Sequence, residues 1–69
     1  MNVADVEELV RSVIVQFGLP FAVLSVVESP VVWDIQVRAG NGGTVRFTVR
    51  GGRPLAMRIA IQERLEAEP

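Results

Sequence analysis

An α+β fold, a two-layer sandwich of α-β-β-β-α order with both helices on one face of a three-stranded antiparallel sheet, is predicted by three features of this sequence. An apolar stripe at helical spacing opens the chain, three stretches alternate with a period of two, and a Gly-Gly-Arg-Pro junction leads into a closing run of helix formers. A length of 69 residues allows one core, so residues 1–69 are read as a single small domain.

In the first element, Val3, Val6, Val10, Val13 and Phe17 recur at spacings of three and four, with Leu9 and Ile14 widening the stripe. Asn2 caps this helix and Asp5, three residues on, is placed as the reciprocal partner of a capping box. Asp5, Glu7 and Glu8 suit the positive end of the helix dipole. Gly18 offers a left-handed exit and Pro20 prevents continuation, so the helix is expected from Val3 to Phe17.

Phe21 to Glu28 reads as a strand, Ser29-Pro30 as a turn, and Val31 to Arg38 as a second strand in which Trp33, Ile35 and Val37 alternate with Asp34, Gln36 and Arg38. After the glycine-rich stretch from Ala39 to Gly43, Val45, Phe47 and Val49 alternate with Thr44, Arg46, Thr48 and Arg50 as a third. If Arg38 faces Thr44 across the loop, then Val37 faces Val45, Ile35 faces Phe47 and Trp33 faces Val49, so the apolar sets match. Asp34 then lies diagonal to Arg46 and Arg50 on the other face. The register of the first strand stays open: a two-residue turn sends Ala22, Leu24 and Val26 inward and Phe21, Val23, Val27 and Val32 outward, and a three-residue turn exchanges the faces.

Gly51-Gly52 ends the sheet and Pro54 fits the first turn of a second helix running to Glu66. Its apolar residues form no single stripe. Ala56, Met57, Ala60, Ile61 and Leu65 spread over about half the surface, while Leu55 and Ile59 project elsewhere.

The composition narrows the function classes. All seven basic residues are arginine, and eight acids bring the net charge to −1, so no global charge draws the chain to nucleic acid. Without histidine, cysteine, lysine or tyrosine it lacks most groups that serve as general acid, base or covalent nucleophile, and a non-enzymatic role is expected. No cofactor, metal or small-molecule site is indicated. The acidic start is the reverse of a signal peptide, and no apolar run approaches the roughly 20 residues that cross a bilayer, so a soluble cytoplasmic protein is expected.

Two surfaces remain as candidates. Phe21, Val23, Val27 and Val32, with Leu55 and Ile59, give more apolar surface than two helices readily hide, and exposed apolar patches mark contacts. A protein-interaction domain is therefore the expected function, with a second copy of the chain as the simplest partner. The alternative is a weak RNA or DNA binder using Arg38, Arg46, Arg50 and Arg53.

That alternative draws on a resemblance. The order helix, three-stranded meander, helix resembles the double-stranded-RNA-binding domain over nearly the whole chain. Ser29-Pro30 lies where that family has a Gly-Pro turn, Trp33 to Val37 and Val45 to Val49 resemble its second and third strands, and Ala56 and Ala60 resemble the small residues of its second helix. The resemblance implies recognition of duplex RNA through phosphate and 2′-OH contacts. The family's histidine after the turn proline is missing, its lysine cluster becomes Arg53-Pro54-Leu55-Ala56-Met57, and the first helix is acidic.

Overall fold

A computed structural model describes residues 1–67. They follow the predicted order: α1 (Val3–Gln16), β1 (Phe21–Glu28), β2 (Val32–Ala39), β3 (Thr44–Arg50) and α2 (Pro54–Glu66).

The capping box at the start of α1 forms as expected. The Asp5 N–H donates to Asn2 Oδ1 at 2.9 Å, and the Asn2 N–H donates to the Asp5 carboxylate at 3.1 Å, which satisfies two donors the helix cannot satisfy internally. The helix ends one residue earlier than predicted, with Phe17 as its C-cap. Gly18 takes a φ of 60°, and the N–H groups of Gly18 and Leu19 return to the carbonyls of Val15 and Ile14. That turn folds Leu19 back against the core and aims the chain into β1.

Every β2–β3 pair expected from the sequence is present: Arg38 with Thr44, Val37 with Val45, Ile35 with Phe47 and Trp33 with Val49. The loop is held by its own side chain, since Asn41 Oδ1 accepts the Gly43 N–H at 2.8 Å and Gly42 supplies a φ of 89°. The sheet order is β1-β2-β3, which leaves β1 and β3 as edges.

In β1 the structure departs from both registers read from the sequence. The connecting turn is Pro30-Val31, because the Ser29 N–H donates to the Val32 carbonyl, and Val26 therefore faces Ile35 on the inner side. A bulge at Leu24 then shifts the register between Val23 and Ser25. Beyond it Val23 faces Val37 and Phe21 faces Ala39, also on the inner side. One extra residue reverses the parity of the strand, so each sequence register describes half of β1. Phe21 and Val23, read as outward-facing under one register, pack against the core instead.

Both helices lie on the same side of the sheet. Val6, Val10, Val13 and Ile14 of α1 and Met57, Ile61 and Leu65 of α2 form one buried cluster with Val26, Trp33, Ile35, Val37, Phe47 and Val49. A single buried line, Met57-Ile61-Leu65, anchors α2, and Ala56 is exposed, so the broad face expected from the sequence narrows. Arg58 ties the helices together by donating to Ser12 Oγ at 2.9 Å.

Ile35 is fully buried at the centre of the sheet. Replacing Ile35 by alanine is expected to cost about 2–5 kcal/mol, comparable to the whole stability of about 3–5 kcal/mol that a core of this size supplies. Urea denaturation followed by circular dichroism should find Ile35→Ala largely unfolded without denaturant. Ile35→Val should stay folded with a lower midpoint.

Candidate interaction surface

The helices cover one face of the sheet and leave the other open. Val27 on β1, Val32, Asp34, Gln36 and Arg38 on β2, and Thr44, Arg46, Thr48 and Arg50 on β3 point to that open side. It divides into two parts. At the turn end the apolar groups gather: Val27 is 55% exposed, Val31 in the turn is 66% exposed and Val32 is half-buried. Leu24, the bulged residue of β1, is also exposed.

The part nearer β3 is polar. Arg46 grips Asp34 with two nitrogens: its Nε donates to both carboxylate oxygens at 3.0 and 3.1 Å, and an Nη donates to Oδ2. The diagonal placement foreseen from the register brings these residues together, whereas Arg50, also diagonal to Asp34, forms no ion pair among the described residues. Hydrogen bonds from Arg46 hold the Asp34 carboxyl below its ordinary value, aided by the nearby guanidinium charge and opposed by partial desolvation. The same hydrogen bonds raise Arg46.

The four arginines of the nucleic-acid reading are dispersed. Arg38 and Arg46 neighbour one another diagonally, Arg50 stands opposite Val32, and Arg53 is the N-cap of α2, without a side-chain capping bond. No aromatic side chain accompanies them on the open face, where bases would need one for stacking.

The six apolar positions singled out for a protein contact also separate. Phe21 and Val23 pack inward, Val27 and Val32 lie on the open sheet face, and Leu55 and Ile59 stand on the side of α2 turned away from the sheet, 69% and 48% exposed. The last two therefore lie across the molecule from Val27 and Val32, and one flat partner cannot touch both sets. Sequence reasoning missed Val31, which it placed inside a strand, and the bulge that exposes Leu24. The available signal was that apolar residues at 21, 23, 24, 26 and 27 fill both parities of β1, which no regular half-buried strand allows.

Elsewhere chemistry is sparse. A cleft of about 330 Å³ lies between the start of β1, the β2–β3 loop and the end of α2, and among the described residues Asn41 and Glu66 bring polar side chains to it. Glu66 is occupied in accepting a hydrogen bond from Gln62. No three carboxylates converge among the described residues, and no described helix is long and apolar enough to cross a membrane.

Fold and surface together define a small α-β-β-β-α protein with one bare sheet face, an order shared with the double-stranded-RNA-binding domain. Compared with known proteins, the chain matches no family model, no curated protein and no solved structure, so that likeness is one of topology.

The ion pair has a measurable pH signature. Because the folded value of Asp34 lies below 3.8, the pair favours the folded state above that pH, and its contribution is lost as pH falls through the lower folded value. Titration of the Asp34 carboxyl carbon by NMR should give a midpoint below 3.8, moving up toward 3.8 in Arg46→Gln. An unchanged midpoint in the variant would show that Arg46 is not the cause.

Proposed function

We propose that this chain is a non-enzymatic protein-interaction domain that self-associates. The observation that supports this reading is apolar surface left outside a completed core: Leu24 at the bulge of β1, Val27 and Val31 on the open side of the sheet, and Leu55 and Ile59 on the back of α2. Val27 and Val31 adjoin at the turn end of the sheet, Leu55 and Ile59 lie across the molecule on α2, and exposed apolar patches mark contacts. A small domain without cysteine gains much of its missing stability by burying such surface against a partner. The absence of histidine, cysteine, lysine and tyrosine argues in the same direction, since a binding surface needs none of them.

Sedimentation at tens of micromolar is expected to show a dimer. A dye that fluoresces on apolar surfaces should bind the dilute protein, and Val27→Glu should cut that signal by at least about half, as a charge enters the patch. A clean monomer with no dye-detectable surface would sink the reading. Duplex RNA added at low salt should leave the backbone amide shifts of Arg38, Arg46, Arg50 and Arg53 unchanged, and salt-sensitive shifts there would favour phosphate binding instead.

A further inference from the structure

We infer that two copies of this chain join edge to edge through β3, antiparallel about a two-fold axis at Phe47, to make one continuous six-stranded sheet. The inference rests on the self-association proposed above and names an edge, a register and a partner for it, apart from the apolar groups of β1 and α2.

The two edges of the sheet are not equivalent. β1 is bulged at Leu24, and its first N–H, that of Phe21, is already taken by the Leu19 carbonyl, so this edge offers no unbroken row of backbone groups. β3 pairs with β2 at every residue from Thr44 to Arg50 without a bulge and contains no proline. The hydrogen bonds at the two ends of the β2–β3 ladder, Ala39 N–H to the Gly43 carbonyl and Gly51 N–H to the Val31 carbonyl, fix which groups look outward. Hydrogen-bonded pairs alternate in an antiparallel ladder. The backbones of Val45, Phe47 and Val49 thus bond to β2, and those of Thr44, Arg46, Thr48 and Arg50 present their N–H and C=O groups to the open edge.

The sequence of β3, Thr-Val-Arg-Phe-Thr-Val-Arg, selects a second copy of itself as the occupant. Centred on Phe47, an antiparallel pairing sets Thr44 against Arg50 of the second copy, Arg46 against its Thr48, and Val45 against its Val49. Every outward-facing backbone group then meets another, each polar residue opposes a polar one and each apolar residue an apolar one. Sliding by one residue puts the valines opposite arginines in one direction and opposite threonines in the other, and exchanges the faces. A centre at Arg46 opposes Arg46 to itself, a centre at Thr48 opposes Arg46 to Arg50, and both leave part of the strand unpaired. Like charges directly opposite destabilise a sheet, so of these three registers the one centred on Phe47 is free of that penalty, and it is the one that pairs the strand along its whole length. Asp34 already neutralises Arg46 where the two copies of that residue approach diagonally.

α2 turns Arg58 toward α1, and on the flank that adjoins the open edge Arg64 lies over the Phe47 ring, 5.9 Å from its centroid, with the small side chain of Ala60 beyond it. Pairing would also cover Val45, the half-buried apolar residue of β3.

Amide hydrogen exchange on the full chain reads the edge directly. At high protein concentration the amides of Thr44, Arg46, Thr48 and Arg50 should exchange at least about tenfold more slowly than in dilute solution, with β1 amides unaffected. Thr48→Pro removes one outward N–H and none of the β2 ladder, and should weaken the dimer at least about tenfold because the loss occurs twice. Thr44→Glu, facing Arg50 of the second copy, should tighten it about fivefold and Thr44→Arg should weaken it by a similar factor. Their effects on the chain's own Arg38 are equal in monomer and dimer and cancel, so these variants decide the matter even if the proline variant fails to fold. A wild-type dimer indifferent to all three substitutions would overturn the edge pairing and leave the interaction reading intact, with the copies meeting elsewhere. A monomer that still binds the apolar dye would overturn the pairing and self-association together, and leave a domain that contacts a different protein.

Discussion

The pairing of Ile35 with Phe47 carries the rest of this molecule. It fixes which half of β2 and β3 is apolar toward the helices, and with Trp33, Val37 and Val49 it makes the floor on which α1 and α2 both land. A sheet that buries one face need supply only one apolar set, and the opposite set is left free to be charged. The same register sets Asp34 diagonal to Arg46, so the ion pair follows from the core without further design.

That economy leaves the open face with a mixed character. Its β3 side carries the Asp34–Arg46 salt bridge and the exposed hydroxyls of Thr44 and Thr48, while its β1 side is apolar and irregular. The asymmetry matters more for function than any single residue. Of the arginines, Arg38, Arg46 and Arg50 lie on the sheet, Arg11 lies on α1 and Arg53, Arg58 and Arg64 lie at or along α2, while α1 is acidic at its start. Affinity for another protein requires only apolar area and unpaired backbone, and the two edges differ in how they supply these.

Much of this was legible in the sequence, for identifiable reasons. The β2–β3 register had one solution, because the apolar sets of both strands alternate strictly and a loop pinned by Asn41 and Gly42 sits between them. The capping box is a local device whose partners lie three residues apart, and it formed as read. β1 resisted for the opposite reason. Valines and leucine at both parities carry no information about which side faces inward, and the bulge that resolves the conflict has no glycine to announce it. The broad apolar face expected for α2 was likewise ambiguous, since alanine is at home buried or exposed, and the line that anchors the helix emerged only from packing against Phe47 and the α1 valines. The dispersal of the candidate interface residues follows in part from the parity reversal in β1, which turns Phe21 and Val23 inward, whereas Leu55 and Ile59 project away from the core as the sequence placed them.

The bulge at Leu24 has a consequence for how large an assembly this sheet can form. Removing that one residue would restore regular alternation to β1, with Phe21, Val23 and Val26 in a single phase, and would straighten the edge it occupies. A sheet with two regular edges is a repeating unit that can add copies at either end, the geometry of a fibre. With one edge irregular, growth through the other stops after a single addition, closed by its own symmetry. An insertion that looks like a flaw in the strand is in this sense a chain terminator.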